Sequence, residues 1–179
     1  MKDFSIRLAE VEDLNQLQKV ARQTYTDHFT HIWEDAGKYY MENSFNKVVL
    51  KNELTNPNHL YFLGFEQEKA VGYMKLNIDQ LLMESRHLNS LELERIYIRK
   101  NATGLGLGRQ LIQLAFKEAR ERHKDLIWLK SMDSSTASIA FYEKQGFVMC
   151  GKDQLEWPFI KPEYRGMVVM KKQLKRGTT

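Results

Sequence analysis

Three glycines at alternating positions, Gly104, Gly106 and Gly108, separate a predicted strand from a predicted amphipathic helix. A glycine has no Cβ, so its backbone adopts positive φ readily and a ligand can approach its N–H closely. The N-terminus of the following helix adds partial positive charge. The segment 103–109 therefore indicates a site for an anion such as a pyrophosphate, although a glycine-rich turn without a ligand has the same pattern.

Two common nucleotide-binding motifs do not match this loop. No Gly-Lys-Ser/Thr follows the glycines, which excludes a P-loop. The spacing is Gly-x-Gly-x-Gly, and the loop follows a predicted hairpin instead of opening the chain, which disfavours a Rossmann dinucleotide site. The pattern predicts an anion site of another kind.

The chain opens with a strand followed by helices. Residues 4–8 alternate apolar and polar side chains, as a half-buried strand does. Apolar residues then recur at helical spacing at Leu14, Leu17 and Ala21. The polar, aromatic-rich stretch over 26–56 predicts one or two short helices that cover or line a pocket.

Three strands are predicted next. Residues 60–65 and 70–76 flank a polar turn, a pattern that predicts an antiparallel hairpin. The segment 91–98 alternates without a purely apolar face, and it predicts a strand with Glu92 and Glu94 on one side.

The C-terminal half alternates helices and strands. An apolar stripe that begins at Leu107 predicts a helix with charged residues on its opposite side. Residues 126–129 predict a short buried strand, and residues 137–144 predict a helix that ends before a glycine. The last two strands are predicted at 147–149 and 167–170.

The order of these elements predicts an α/β (α+β) fold of three layers. Its mixed, mostly antiparallel sheet has about six to seven strands, with helices on both faces. The antiparallel beginning does not fit the all-parallel sheet of a dinucleotide-binding domain. With 179 residues, the chain is predicted to form a single domain over 1–179, since domains commonly span about 100–200 residues.

Composition argues against several other classes of protein. The net charge of +4 is spread along the chain among 23 acidic residues, so we expect no nucleic-acid partner. No apolar run reaches the length of a membrane span and no signal peptide is evident, so we expect a cytoplasmic protein without membrane contact. Cys150 is the single cysteine, and the five histidines show no ligand pattern with it, which predicts no metal site.

A second motif follows the predicted strand beyond the glycine loop. It contains Phe141-Tyr142-Glu143-Lys144-Gln145-Gly146-Phe147. Taken alone, Tyr142 is also typical of ordinary core packing. With the glycine loop, the intervening helix and the strand in this order, however, the chain resembles the GNAT acetyltransferase superfamily over nearly its whole length. The resemblance implies transfer of an acetyl group from acetyl-CoA to a primary amine.

Four further segments look like bacterial PaiA-type spermidine/spermine N-acetyltransferases. They are residues 44–46, 72–79, 91–98 and 127–129. This closer resemblance implies that the acceptor is a polyamine such as spermidine or spermine, which attacks the thioester directly.

The superfamily resemblance assigns residues to the acetyl-CoA site. In these enzymes the strand before the glycine loop and the strand after its helix splay apart, and the pantetheine arm lies between them. Backbone N–H groups of the first strand would polarise the acetyl carbonyl. The implied coenzyme-binding residues are Ile96, Tyr97, Ile98, Arg99, Thr103, Gly104, Leu105, Gly106, Leu107, Gly108, Arg109, Ser135, Ser138, Tyr142 and Lys144.

Two positions depart from the family's pattern. Thr103 stands where the loop usually opens with Gln or Arg, but it still presents its backbone N–H. Ser135 stands where an Asn commonly precedes the tyrosine-bearing helix, and it is suited to cap that helix. We expect Arg99 or Arg109 to replace the missing cationic contact.

Acetylation of an amine requires removal of a proton. An alkylammonium has a pKa around 10.4, so a carboxylate or a water chain must accept a proton before the attack. We predict Glu94 as this base and Glu92 as the second candidate, although either fits a solvated ion pair with Arg95 or Lys75 equally well. Tyr142 matches the family's general acid, which donates to the leaving thiolate.

The acceptor site is predicted from the aromatic-rich stretch near the start of the chain. A polyamine needs an acidic, partly aromatic groove, and Trp33, Glu34 and Tyr39 are candidates to line it. The same stretch fits a plain amphipathic cover equally well.

Other open functions are acetylation of a protein, peptide or antibiotic-like amine, and a regulatory role that binds CoA without turnover. The chain is expected to act as a monomer or homodimer.

Overall fold

A computed structural model of the chain describes residues 4–174, so the ends of the predicted domain lie outside the described residues. The described strands are β1 (Phe4–Leu8), β2 (His59–Glu66), β3 (Lys69–Asn77), β4 (Ser90–Ile98), β5 (Leu126–Met132), β6 (Val148–Gln154) and β7 (Gly166–Gln173). The described α-helices are α1 (Leu14–Phe29), α2 (Lys38–Ser44), α3 (Lys47–Thr55), α4 (Leu107–Glu121) and α5 (Thr136–Lys144).

The seven strands form one sheet in the order β1-β2-β3-β4-β5-β7-β6. Neighbouring strands are antiparallel except β4 and β5, which are parallel and are connected through α4. The predicted hairpin is confirmed, because β2 and β3 pair across a turn at Gln67 and Glu68. The predicted mixed, mostly antiparallel sheet is therefore confirmed.

Each face of the sheet packs against its own group of helices. The core on one face contains the apolar side of α4, which comprises Leu107, Leu111, Ile112, Ala115, Phe116 and Ala119. The core on the opposite face contains residues of α1, α2 and α3, which include Leu17, Val20, Ala21, Met41 and Leu50. Since both faces are covered, the predicted three-layer arrangement is also confirmed.

Helix α1 is longer than the sequence pattern predicted. It continues to Phe29, whereas the stretch from residue 26 was expected to form separate short helices. Leu17, Ala21 and Tyr25 are buried at four-residue spacing, so the apolar face of the helix extends through an aromatic residue. The remainder of that stretch forms α2 and α3.

The parallel pairing of β4 and β5 is short. Ser90–Glu92 pair with Leu126–Trp128, and the register ends there. Beyond this point β5 continues beside β7 as far as Met132, while β4 continues beside β3 as far as Ile98. The two central strands therefore separate and leave a gap that widens toward the glycine loop.

The described part of the chain holds no helix that combines the length and hydropathy of a membrane span.

Candidate active site

The glycine loop adopts backbone conformations that favour glycine. Gly104 and Gly106 have φ of +77° and +104°, and Gly106 is the N-cap of α4. A Cβ built at either position would meet no heavy atom within 4 Å. Glycine is therefore needed here because another residue would be strained at positive φ, and not because a side chain would clash with its neighbours. The loop's backbone is open to a ligand.

The N-terminus of α4 supplies hydrogen-bond donors at the same place. The first intrahelical bond of this helix runs from the Gln110 N–H to the Gly106 carbonyl. The amides that precede Gln110 have no partner within the helix, and they lie at its positive end. Together the loop and the helix terminus form a candidate anion site next to the gap between β4 and β5.

A cavity of about 1100 Å³ lies against this loop. Most of the predicted coenzyme-binding residues line it, namely Ile96, Tyr97, Ile98, Thr103, Gly104, Leu105, Gly106, Gly108, Arg109, Ser135, Ser138 and Tyr142. They come from the end of β4, the loop and the first turns of α4 and α5. The cavity therefore connects the anion site to the open edge of β4.

Three predicted coenzyme residues lie outside the lining. The side chain of Leu107 is fully buried, and it packs beneath Gly64 and Gly72 of the sheet. The Arg99 Nε donates to the Asp27 carboxylate at 2.6 Å. Lys144 is exposed at the C-terminal end of α5.

The sequence did not predict five lining residues: His28, Phe29, Gln110, Ala137 and Phe141. The last three are near neighbours of predicted residues on α4 and α5, so the helical period could have identified them. His28 and Phe29 come from the last turn of α1, far away in the sequence. The four-residue spacing from Tyr25 to Phe29 could have predicted that α1 continues to Phe29. It could not have predicted that the end of this helix lies against the cavity.

Tyr142 faces the cavity from α5. Its ring lies 5.3 Å from that of Phe141 and 5.8 Å from that of Phe147. Burial raises the pKa of Tyr142 to about 12, so its hydroxyl is a protonated donor at neutral pH.

Ser135 occupies the N-cap position of α5, but its side chain makes no capping hydrogen bond. Its hydroxyl is therefore not used by the helix.

Glu92 and Glu94 do lie on one side of β4, as predicted. The Asn77 side-chain amide on β3 donates to both, at 2.7 Å to the Glu92 Oε2 and 2.8 Å to the Glu94 Oε2. The register between β3 and β4 shifts here, because Lys75 is opposite Arg95 while Leu76 is opposite Leu93. Glu94 is thus the extra residue of a β-bulge.

The two glutamates have opposite electrostatic environments, beginning with Glu94. The Lys75 Nζ lies 2.6 Å from its Oε2, and the Arg95 Nη2 lies 2.9 Å from its Oε1. Burial alone would raise the pKa of Glu94, but the charges of Arg95 and Lys75, with hydrogen bonds from Lys75 and Asn77, lower it to about 2. Glu94 is therefore a permanently ionised carboxylate near neutral pH.

Glu92 has no cation within ion-pair distance in the part of the chain that the structure describes. Burial raises its pKa above the ordinary value, and the negative charge of Glu94 adds to this effect. The hydrogen bond from Asn77 and the charges of Lys130 and Lys75 oppose the shift without cancelling it. A carboxylate with a raised pKa is better suited to accept a proton than one with a pKa of about 2.

The predicted acceptor residues are in different surroundings. Trp33 is only 3% exposed, and its indole N–H donates to the Tyr25 hydroxyl at 3.0 Å, so it packs in the core. Glu34 is exposed beside the loop between β6 and β7, where its N–H donates to the Phe159 carbonyl. The ring of Tyr39 lies 5.5 Å from the exposed ring of Phe159.

Over residues 4–174, no group of three or more side chains suits a metal ion.

A mixed sheet whose central strands separate beside a glycine loop and a helix N-terminus matches the coenzyme site that the resemblance implies for an acetyl-CoA-dependent acyltransferase. The sequence model of the acetyltransferase (GNAT) family matches residues 15–147. The chain belongs to this family, and it is an acetyl-CoA-dependent N-acetyltransferase.

One relative and two solved structures are similar to this chain. An uncharacterized N-acetyltransferase in the pepI 3′ region of Lactobacillus delbrueckii subsp. lactis is 35% identical over 138 residues, which cover 75% of this chain and 79% of that protein. The PaiA N-acetyltransferase of Thermoplasma acidophilum, solved with coenzyme A, has a TM-score of 0.78 at 22% identity, covering 96% and 99% of the two chains. A ribosomal-protein-alanine N-acetyltransferase of Brucella melitensis has a TM-score of 0.69 at 27% identity, covering 95% and 99%.

The residues of this chain fit acetyl-CoA. The open positions at Gly104 and Gly106 leave room for a diphosphate against the backbone. The free amides at the start of α4 offer donors to it, and Arg109 is an exposed cation on the cavity wall. The gap between β4 and β5 would then hold the coenzyme's arm.

Replacing Gly106 by alanine is expected to weaken coenzyme binding about tenfold or more. A φ of +104° lies outside the left-handed region that alanine tolerates, so the alanine loop would relax in the free protein. Returning it to the binding conformation at a cost of about 1–3 kcal/mol corresponds to roughly one or two orders of magnitude in affinity. Gly104→Ala, at φ +77°, is the matched control and should cost less. Calorimetric titration with coenzyme A measures both, and the reverse ranking would contradict the strain argument.

Proposed function

We propose that the protein acetylates a primary amine of a polyamine such as spermidine or spermine, by direct attack of the amine on the thioester. The observation that carries this proposal is Glu92, a half-buried carboxylate with a raised pKa and no cation of its own among the described residues. Such a group is suited to accept the proton that an ammonium must lose.

The charges around β4 support Glu92 as the base. Lys75 lies 2.6 Å from both Glu53 and Glu94, and Arg95 lies 2.9 Å from Glu94. Two cations therefore compensate two carboxylates, and Glu92 remains as the third carboxylate. We place Glu92 ahead of Glu94, which reverses the order expected from the sequence.

The position of Glu92 along the strand supports the same role. It is the last residue of β4 that pairs with β5, so it lies where the gap begins. Ile98 lies six residues further on, about 20 Å along an extended strand, next to the glycine loop. Glu92 itself lies outside the lining of the 1100 Å³ cavity, whose residues from β4 are Ile96, Tyr97 and Ile98. With the diphosphate at the loop and the arm in the gap, the reactive end of the coenzyme would extend along β4 in the direction of Glu92.

Tyr142 is proposed as the donor to the departing sulfur. Acetyl-CoA supplies the acetyl group as a thioester with a thiolate leaving group. An ordinary thiol has a pKa of about 8.5, whereas that of Tyr142 is about 12. The hydroxyl is therefore suited to stabilise the thiolate by a hydrogen bond, and full proton transfer is not required. Backbone N–H groups of β4 are proposed to polarise the acetyl carbonyl.

Acidic and aromatic side chains near the site support a cationic acceptor. A second cavity, of about 660 Å³, has Asp133, Asp153 and Glu156 in its lining together with Lys152. Because Asp153 is paired with Lys130, the acidity of this cavity comes mainly from Asp133 and Glu156. Asp133 lies two residues before Ser135, which lines the first cavity, so the two cavities flank one turn. Such local acidity is needed to attract a polycation to a chain whose net charge is +4.

The exposed pair Tyr39 and Phe159, with Glu34 bound through its N–H to the Phe159 carbonyl, offers further contacts to an alkylammonium chain. Glu34 and Tyr39 therefore stay in the proposed acceptor site. Trp33 is proposed to support it from the core through its contact with Tyr25.

A panel of amines tests the acceptor. We expect faster release of free thiol from acetyl-CoA with spermidine and spermine than with a peptide that begins with alanine or with an antibiotic that carries primary amines. The physical reason is that two or more positive charges match the acids near the site. A preference for the peptide would overturn the polyamine proposal, but it would leave the acetyltransferase assignment intact.

Replacing Glu92 by glutamine is expected to lower kcat by about 10²-fold or more, the usual contribution of a general base. In the unmodified enzyme the rate should rise with pH as Glu92 deprotonates, at a pKa above the ordinary value near 4.5. Glu92→Gln should abolish this rise. A pH profile of kcat/KM under saturating acetyl-CoA measures it.

Glu94→Gln is the matched control for this experiment. It removes a negative charge that raises the pKa of Glu92, so the rise should persist and move to lower pH. A profile that loses the rise in Glu94→Gln and keeps it in Glu92→Gln would restore Glu94 as the base.

Tyr142→Phe removes the hydroxyl and keeps the ring contacts with Phe141 and Phe147. We expect kcat to fall about 100-fold or more, since a positioned acid or hydrogen-bond donor contributes at least on this scale, while acetyl-CoA binding changes less than about twofold. Steady-state kinetics and calorimetry separate the two effects. Unchanged turnover would remove Tyr142 from the proposed mechanism.

A further inference from the structure

One edge of β4 is free along the gap. The Arg99 N–H donates to the Val71 carbonyl at 2.7 Å, and Tyr97 is opposite Tyr73 in the same register. Alternate residues of an antiparallel strand direct their backbone groups to opposite sides. The N–H and C=O groups of Ile96 and Ile98 therefore point away from β3, toward the gap left by β5.

His28 contacts this free edge. Its Nε2 lies 2.8 Å from the Ile98 carbonyl oxygen. Because a carbonyl oxygen only accepts, the hydrogen lies on Nε2, and in the neutral imidazole Nδ1 is then an acceptor. The ring also lines the cavity of about 1100 Å³. The described residues provide no hydrogen-bond partner for Nδ1.

The position of His28 is fixed by its neighbours on α1. The Asp27 carboxylate accepts from the Arg99 Nε at 2.6 Å and from the Lys100 N–H at 3.1 Å. The ring of Phe29 lies 5.1 Å from that of Tyr97. The last turn of α1 is thus bound to the end of β4, and the imidazole is placed at the gap independently of any ligand.

We propose that His28 is a positioning residue for acetyl-CoA. Its Nε2–H donates a hydrogen bond to the Ile98 carbonyl, and its Nδ1 accepts a hydrogen bond from an amide N–H of the coenzyme's arm. A neutral acceptor is suited to an amide donor and not to a phosphate. The Ile98 carbonyl has two lone pairs, so it can accept from the arm as well.

The test compares two ligands, acetyl-CoA and adenosine 3′,5′-bisphosphate, which carries the nucleotide without the arm. His28→Ala should weaken acetyl-CoA binding about 5- to 15-fold, the effect of one or two lost hydrogen bonds. It should leave the affinity for the bisphosphate within about twofold. In steady-state kinetics KM for acetyl-CoA should rise, while kcat changes less than KM does. Calorimetry measures both affinities.

Two further variants separate contact from structure. His28→Gln retains an N–H donor that can reach Ile98, so it should recover part of the lost affinity for acetyl-CoA. Asp27→Asn weakens the ion pair and hydrogen bond that connect α1 to the segment before the glycine loop. It should lower the affinity for both ligands alike. The proposal is overturned if His28→Ala binds acetyl-CoA as tightly as the unmodified protein does, or if it weakens both ligands equally.

Discussion

The early end of the parallel pairing between β4 and β5 is the constraint on which the rest of the site depends. Three residues of each strand pair, and then β4 follows β3 while β5 follows β7. A gap inside a sheet leaves backbone donors and acceptors without partners, which is unfavourable unless water, a side chain or a ligand satisfies them. The free backbone groups of β4 therefore need water, a side chain such as His28 or a ligand as partner, and the coenzyme's arm would be suited to complete the hydrogen bonding.

The same strand carries the charges that distinguish the two glutamates. The bulge at Glu94 brings Glu94 and Arg95 together opposite Lys75. A buried cation needs a carboxylate partner, so this arrangement fixes Glu94 in its ionised form. Its negative charge then raises the pKa of Glu92 nearby. One local irregularity of the backbone thus gives two carboxylates of the same strand opposite tendencies to bind a proton.

Much of the fold and of the loop could be predicted because the signals are local. Glycine spacing, alternation and helical period act over a few residues, and they located Gly104, Gly106 and the face of α4. The order of Glu92 and Glu94 depends on a register shift against β3, which no sequence pattern reports. His28 approaches Ile98 across 70 positions of the chain, and the burial of Trp33 depends on Tyr25 and Tyr40. These are consequences of tertiary packing.

The loop's departure from its family at Thr103 has a structural explanation in the contacts nearby. The Thr103 hydroxyl donates to the Lys100 carbonyl at 2.7 Å, so this side chain stabilises the loop itself. Arg99 is paired with Asp27, which leaves Arg109 as the exposed arginine on the cavity wall. Recognition of a diphosphate at this loop would therefore rest mainly on backbone amides. Because those amides are present whatever the side chain, the loop can keep its function while residue 103 varies.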